Sequence, residues 1–247
     1  GSFSCIIWMQ LVRRRLKTIF QYFYSIWIFM DNIQFWTVAS ANGIILEIPQ
    51  MKQFERYEGE LLYWNNKINL ISRTDTENIF ERHFLHSLTP LKYTDFPQKA
   101  KVLDIGTGGG FPGLPLAIAR PDMHVLLTDS IQKKLKLAEM FAQHTGLRHV
   151  KARTIRVEDL AQDKSLVQSF DIITARAVAS IGKLVGWTRT LLKPGGKFVF
   201  LKGGDISTEI AEAKELFPTL TVEEFPISML GAEWFEREKK KVFVCRI

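Results

Sequence analysis

The chain has 247 residues, 46% of them hydrophobic and 24% charged. These are ordinary globular proportions, and the length allows one α/β domain with an appendage or two small domains. Two cysteines, Cys5 and Cys245, exclude a disulfide framework or a cysteine metal site, so a reducing, cytoplasmic setting is the default. The net charge is +7, but Arg13, Arg14, Arg15 and Lys17 supply four of those charges, so a nucleic-acid partner is permitted rather than required.

In chain order, the basic run Arg13–Lys17 is followed by the apolar, aromatic stretch TIFQYFYSIWIFM and then by TVASA (37–41). The layout is like a secretory signal peptide. The apolar run is short for a bilayer span, and Asp31, Asn32 and Gln34 interrupt the path to the small-residue site. Residues 1–41 are therefore expected to be a leader outside the functional core, with Met30 or Met51 as the start of the working chain and no membrane partner.

From Gln50 onward, Phe54, Tyr57, Leu61, Trp64 and Ile68 recur every three or four residues, the apolar stripe of a helix. The loop NLISRTDTEN follows. A second helix over 77–91 is expected to bury Phe80, Phe84, Leu88 and Leu91, leaving Arg82, His83 and His86 on its other face. After the linker DFPQKA, strands and helices alternate. Strands are expected at 101–106, 124–129, 149–154, 170–176 and 197–202, with late strands near 220–226 and 241–247. Helices are expected at 113–120, 131–145 (Ile131, Leu135, Ala138 and Ala142 on one face), 180–193 and 205–217, with KPGG as a turn before the fifth strand. This alternation predicts a doubly wound, mostly parallel α/β sheet of Rossmann-like type over 99–247, preceded by a helical extension over 42–98.

The stretch VLDIGTGGGFPGLPLAIARP (102–121) joins the first strand to its helix, and Gly108, Gly110 and Gly113 fit the dinucleotide spacing G-x-G-x-x-G. That spacing alone is a weak signal. Asp104, two residues before Gly106, would press a carboxylate toward a pyrophosphate, which is costly in a partly buried site. A cationic ligand without phosphate reverses the sign, and S-adenosylmethionine is such a ligand. Asp129, at the end of the second strand, is placed for ribose hydroxyls in either case. A dinucleotide and a purely structural glycine turn stay open as alternatives at this point.

The segments YWNNKINLIS (63–72), RHFLHSL (82–88), VLDIGTGGGFPGLPLAIARP, LLTDS (126–130), IRVEDL (155–160) and ITARAVAS (173–180) occur in this order. Together they resemble the bacterial 16S ribosomal RNA guanine-N7 methyltransferases, the glucose-inhibited division protein B family, over residues 42–247. The resemblance implies a class I S-adenosylmethionine-dependent methyltransferase fold with an N-terminal helical extension. It also implies methylation of one guanine N7 in a small-subunit rRNA loop near the decoding site, in naked 16S rRNA or the 30S subunit. It places Asp104, Gly106, Gly108, Phe111, Asp129, Ser130, Val157, Glu158 and Arg176 around the cofactor, with Arg176 orienting the target base. Arg82, His83, Arg156 and Lys202 are the RNA candidates. The family stretch is usually R-H-x-x-D-S, and here His86 stands in place of the acid.

Plainer roles compete for several of these residues. Glu158 could decorate the first turn of a helix over 158–168, Arg176 could sit in a structural ion pair, and Lys202 could be a solvated strand end. EKKK (238–241) reads as a turn before the last strand. His83 and His86 lack a third ligand, so no metal is expected. The rival functions are a methyltransferase of another substrate and a non-catalytic, S-adenosylmethionine-binding protein that docks on ribosomal particles. A monomer is expected.

Overall fold

The computed structural model describes residues 29–247. Residues 1–28 of the expected leader lie outside the described residues. Helix α1 (Asn32–Ala41) begins at Asp31, whose carboxylate accepts from the Gln34 N–H while the Gln34 side chain accepts from the Asp31 N–H, a reciprocal capping box. This helix is not leader. Phe35 has no exposed surface and packs on Phe54, Phe80 and Phe84 at 5.0, 5.4 and 6.3 Å between ring centroids. The expected boundary after residue 41 therefore cuts through packed structure. The apolar, aromatic composition that reads as a leader continues, from Phe35, as core.

Helix α2 (Ile48–Asn65) starts with a second capping box, Glu47 with Gln50, and buries Met51, Phe54, Tyr57 and Leu61 along the predicted stripe. The Gln50 amide also donates to the carbonyls of Ile118 and Ala119, tying the first turn of α2 to the sheet domain. The next helical segment is wound as a π-helix over Phe80–Leu85 and continues into α3 (His86–Leu88) and α4 (Pro90–Tyr93). Its second face is enclosed as well. His83 and His86 are only 7% and 6% exposed. The reason is a far segment: Trp234 and Phe235 stand 5.7 and 5.6 Å from the His86 ring.

The sheet has seven strands: β1 (Lys101–Ile105), β2 (His124–Asp129), β3 (Val150–Thr154), β4 (Phe170–Arg176), β5 (Leu192–Gly203), β6 (Thr221–Pro226) and β7 (Lys240–Arg246). Their order is β3-β2-β1-β4-β5-β7-β6. The first five run parallel, and β7 inserts antiparallel between β5 and β6. Helices α5 (Gly113–Ala119) and α6 (Gln132–His144) pack on the face shared with the extension. Helices α8 (Ile181–Thr188) and α9 (Ser207–Leu216) cover the other face. One hydrophobic core runs from Phe35 through Phe54 and Phe84 to Val102, Leu127 and Val244, so the extension and the sheet share it.

Three local expectations change. Ile131 caps α6 and is 49% exposed, because the helix turns its Leu135, Ala138 and Phe141 face inward only from its second turn. KPGG lies inside β5, which keeps pairing with β4 across a register shift between Phe170 and Ile172. The helix after Arg156 is a single turn, α7 (Val157–Leu160), and not a span to 168. Among the described residues no helix is long and apolar enough to cross a membrane.

Candidate functional site

The strand order reverses between β1 and β4, and in an open α/β sheet the ligand crevice forms at such a switch point, outside the carboxyl ends of the strands. The glycine loop fills this place. It is built around Asp104, which is fully buried at the end of β1. One Asp104 oxygen, Oδ2, accepts from the Thr107 hydroxyl at 2.6 Å and from the Gly113 N–H at 2.9 Å. The other, Oδ1, is buried without a partner. Burial pushes the Asp104 carboxyl up to about 7, against those two hydrogen bonds.

Across the loop, Asp129 at the end of β2 accepts from the Gly108 N–H at 2.9 Å and the Ile131 N–H at 2.8 Å. Gly106 takes a positive φ of 63°, and a Cβ there would meet Val178 Cγ2 at 2.6 Å. Only glycine fits this approach.

Beside the loop lies a cleft of about 310 Å³, within the range of small-molecule pockets. It is lined by Gly106, Asp129, Ser130, Arg156, Val157 and Glu158, all expected from sequence. Val178, Ala179 and Trp187, which sequence reasoning missed, form part of its wall. Three of the four other expected cofactor residues sit deeper. Asp104 lies under the loop, where its role is to hold Thr107 and Gly113 rather than to face a ligand. Phe111 is buried, stacked on Tyr57 at 5.6 Å and 5.1 Å from His83. Arg176 lies over Phe111 at 4.7 Å from its ring centroid. Gly108 is tied to the cleft through Asp129 alone.

The loop amides decide between the candidate ligands. A dinucleotide pyrophosphate is held by free N–H groups at such a loop and helix start. Here the Gly108 N–H is taken by Asp129 and the Gly113 N–H by Asp104. The N–H groups of Gly110 and Phe111 both go to the Thr107 carbonyl at 2.8 Å. The cleft instead offers the carboxylates of Asp129 and Glu158. These acceptors suit the hydroxyls of a ribose and the positive charge of S-adenosylmethionine.

Of the RNA candidates, Arg156 stands exposed on the cleft rim. Arg82 donates to Asp75 Oδ1 at 2.6 Å and lies 5.7 Å from the Trp234 ring, so its charge is engaged inside the protein. Lys202 donates to the Ala179 carbonyl at 2.7 Å and pairs with Glu209 at 2.8 Å, so it is neither a solvated strand end nor free for RNA. His83 is nearly enclosed, and burial holds its imidazole down at about 4. Burial likewise holds His86 well below the ordinary histidine value, and its Nε2 is unpartnered. An aromatic box of this kind would leave a carboxylate desolvated, whereas a neutral imidazole packs there. Asp75, Tyr57 and Trp187 are site-region residues that sequence reasoning did not single out. Asp75 lay in a stretch read only as loop, and Tyr57, whose hydroxyl donates to the Gly109 carbonyl at 2.6 Å, was visible only as one position of a core stripe.

The fold, the switch-point cleft and the acid-braced glycine loop define a class I S-adenosylmethionine-dependent methyltransferase. Solved structures share the fold. A SAM-dependent methyltransferase from Aquifex aeolicus superposes with a TM-score of 0.50 at 14% identity, over 65% of this chain and 89% of that one. A TehB-like SAM-dependent methyltransferase from Corynebacterium glutamicum gives 0.50 at 16% identity, over 76% and 97%. The family described as GidB, rRNA small subunit methyltransferase G, matches residues 50–239, and the chain belongs to it. The ribosomal RNA small subunit methyltransferase G of Geobacillus kaustophilus is 35% identical over 215 residues, 87% of this chain and 90% of that protein. That of Chlorobium phaeobacteroides is 39% identical over 198 residues, 78% and 86%. The protein is thus an rRNA methyltransferase with S-adenosylmethionine as its cofactor.

Proposed function

We propose that the chain methylates N7 of one guanine of 16S rRNA, working as a monomer in the cytoplasm on naked rRNA or on the 30S subunit. When bound, S-adenosylmethionine supplies the methyl group from its sulfonium. Asp129 and Glu158 would accept from its hydroxyl and amino groups, with Ser130 and Val157 beside them and Trp187 as an apolar wall.

The observation that carries the N7 assignment is that, among the described residues, the imidazole bonded to Arg176 has its lone pair engaged. Arg176 ends β4 next to the loop and, being a guanidinium, can only donate. The nearest imidazole, His83, already uses its Nδ1 lone pair on Arg176. Guanine N7 carries a lone pair at neutral pH, so no proton has to leave before it is methylated. Arg176 can donate to guanine O6 and leave N7 unhindered. Positioning then does most of the work, as it does wherever reactants are held in line.

Two measurements test this reading. Target RNA carrying 7-deazaguanine at the modified position should accept no methyl group. The single-turnover rate should be flat from about pH 6.5 to 8.5, because a free catalytic histidine would titrate in that window. Methylation of the deaza substrate would overturn the N7 assignment.

A further inference from the structure

His83 and Asp75 come from the helical extension, yet they reach the end of β4. Arg176 donates from Nη2 to His83 Nδ1 at 3.0 Å and from Nη1 to the Arg82 carbonyl at 3.3 Å. A guanidinium has no acceptor, so His83 Nδ1 must be the bare nitrogen of the ring. The ring's one hydrogen is then on Nε2, which lies 3.5 Å from Asp75 Oδ2. Asp75 is held in turn by Arg82. The Arg176 end thus fixes the tautomer, and Nε2, buried without a hydrogen-bond partner, faces the Asp75 carboxylate. The ring is also wedged against Phe111, the residue over which Arg176 lies.

We propose that His83, whose bare Nδ1 accepts from Arg176 while its Nε2 faces the Asp75 carboxylate, is a positioning residue that fixes the guanidinium of Arg176 for the target guanine and carries no proton in the reaction. Two nitrogens of Arg176 are pinned, and Nε and the second hydrogens of Nη1 and Nη2 stay available as donors. The extension thus acts on the chemistry through two hydrogen bonds to Arg176, of which the one to His83 depends on a side chain. This rests on the reading of Arg176 as the base-orienting residue.

The test uses full-length protein and 30S particles lacking the modification, in single-turnover assays. His83→Leu removes the acceptor and should slow methyl transfer about ten- to a hundredfold, the order that small misplacement of a reacting group costs. Its S-adenosylmethionine affinity should stay within about twofold, because His83 does not line the cleft. His83→Asn places an amide oxygen near the Nδ1 position and should recover most of the rate. Both variants should keep the flat pH profile. An undiminished rate in His83→Leu, no recovery in His83→Asn, or a wild-type limb near pH 6.5 that vanishes in either variant would overturn the proposal. Arg176→Ala separates the two ideas: full activity there would overturn the Arg176 reading itself. A readout independent of variant folding is the wild-type long-range ¹⁵N–¹H spectrum at pH 7. It should show this histidine locked with hydrogen on Nε2, and a ring carrying hydrogen on Nδ1 would refute the string.

Discussion

Asp104→Asn isolates the cost of a buried charge under the glycine loop. The substitution keeps the shape, and the amide oxygen can still accept from Thr107 and Gly113. Its NH₂ takes the place of Oδ1, which has no partner. An unsatisfied buried donor costs about 1–3 kcal/mol at any pH. Against this stands the charge itself. The carboxyl moves from 3.8 in the unfolded chain to about 7 in the fold. Because the folded value is raised, the folded state binds the proton more tightly. The stabilising contribution is full below pH 3.8 and is lost as pH rises through 7. At 1.36 kcal/mol per unit, the wild type loses about 2–3 kcal/mol from this group between pH 5 and pH 8, and the variant loses none.

At pH 5 the protonated wild-type carboxyl carries an equally unpartnered donor on Oδ1, so Asp104→Asn should match wild type there to within about 1 kcal/mol and exceed it by about 2–3 kcal/mol at pH 8. Urea unfolding at several pH values, with linear extrapolation, reads this directly. A gap that stays constant from pH 5 to 8 would show that the carboxyl is not strained by burial. Calorimetry should find S-adenosylmethionine affinity retained, since Asp104 faces the loop and not the cleft.

Asp129→Ala removes a charged acceptor held by two backbone N–H groups and lining the cleft. With about 1.5–3 kcal/mol for each hydrogen bond to a ligand hydroxyl, S-adenosylmethionine affinity should fall by roughly two to four decades at most. Unchanged affinity in a calorimetric titration would remove Asp129 from the site. Gly113→Ala puts a Cβ 2.4 Å from Leu127 Cδ2 and 2.7 Å from Asp104 Oδ2. Overpacking of this kind costs about 1–3 kcal/mol, so the melting temperature should drop by several degrees, and an unshifted melt would contradict the packing. The fold should also lose stability in acid: burial holds His83 at about 4 and His86 well below the ordinary histidine value, so their contribution is present above 6.5 and lost as pH falls. Asp104 opposes them with one proton, so the two histidines outweigh it, and thermal melts that do not fall between pH 6.5 and 5 would refute this.

What was legible in the sequence followed from local chemistry. A strand that runs into glycines and then a helix has few other ways to fold, so β1, the loop and α5 were readable from VLDIGTGGGFPG. Asp129 could be placed because parallel strands end at one edge of the sheet, and Val157 and Glu158 only through the family resemblance. Side-chain direction was not readable. Asp104 and Phe111 stand beside the glycines in sequence, but the pleat and the turn send both inward. Trp187 enters the cleft wall from α8, which no spacing within the glycine motif could indicate. His83 and His86 could be read, on a 3.6-residue period, as a polar face toward the sheet, but the partners that enclose them could not. The segment is wound as a π-helix there, and Trp234 and Phe235 arrive about 150 residues later to cover the second face.

The same shared core sets how much of the N-terminal region the fold can lose. A chain starting at Met30 keeps Asp31 and hence the capping box of α1. One starting at Met51 loses α1, the buried side chains Phe35, Val38, Ile44 and Leu46, and the Glu47–Gln50 start of α2. At about 1.5–3 kcal/mol for each large apolar side chain, those four carry roughly 6–12 kcal/mol of burial, an upper estimate because the unfolded chain already buries some of that surface. Domain stabilities are about 5–15 kcal/mol, so the loss competes with the whole. It also uncovers Phe54, Phe80 and Phe84, which Phe35 touches. The Met51 chain should thus be insoluble, or soluble only as a loosened state without a cooperative melt and with weakened near-ultraviolet dichroism. The Met30 chain should be soluble and as active as the full chain. A Met51 chain that melts cooperatively at the temperature of the Met30 chain would show that α1 is an ornament on the core and that the boundary expected after residue 41 is the physical one.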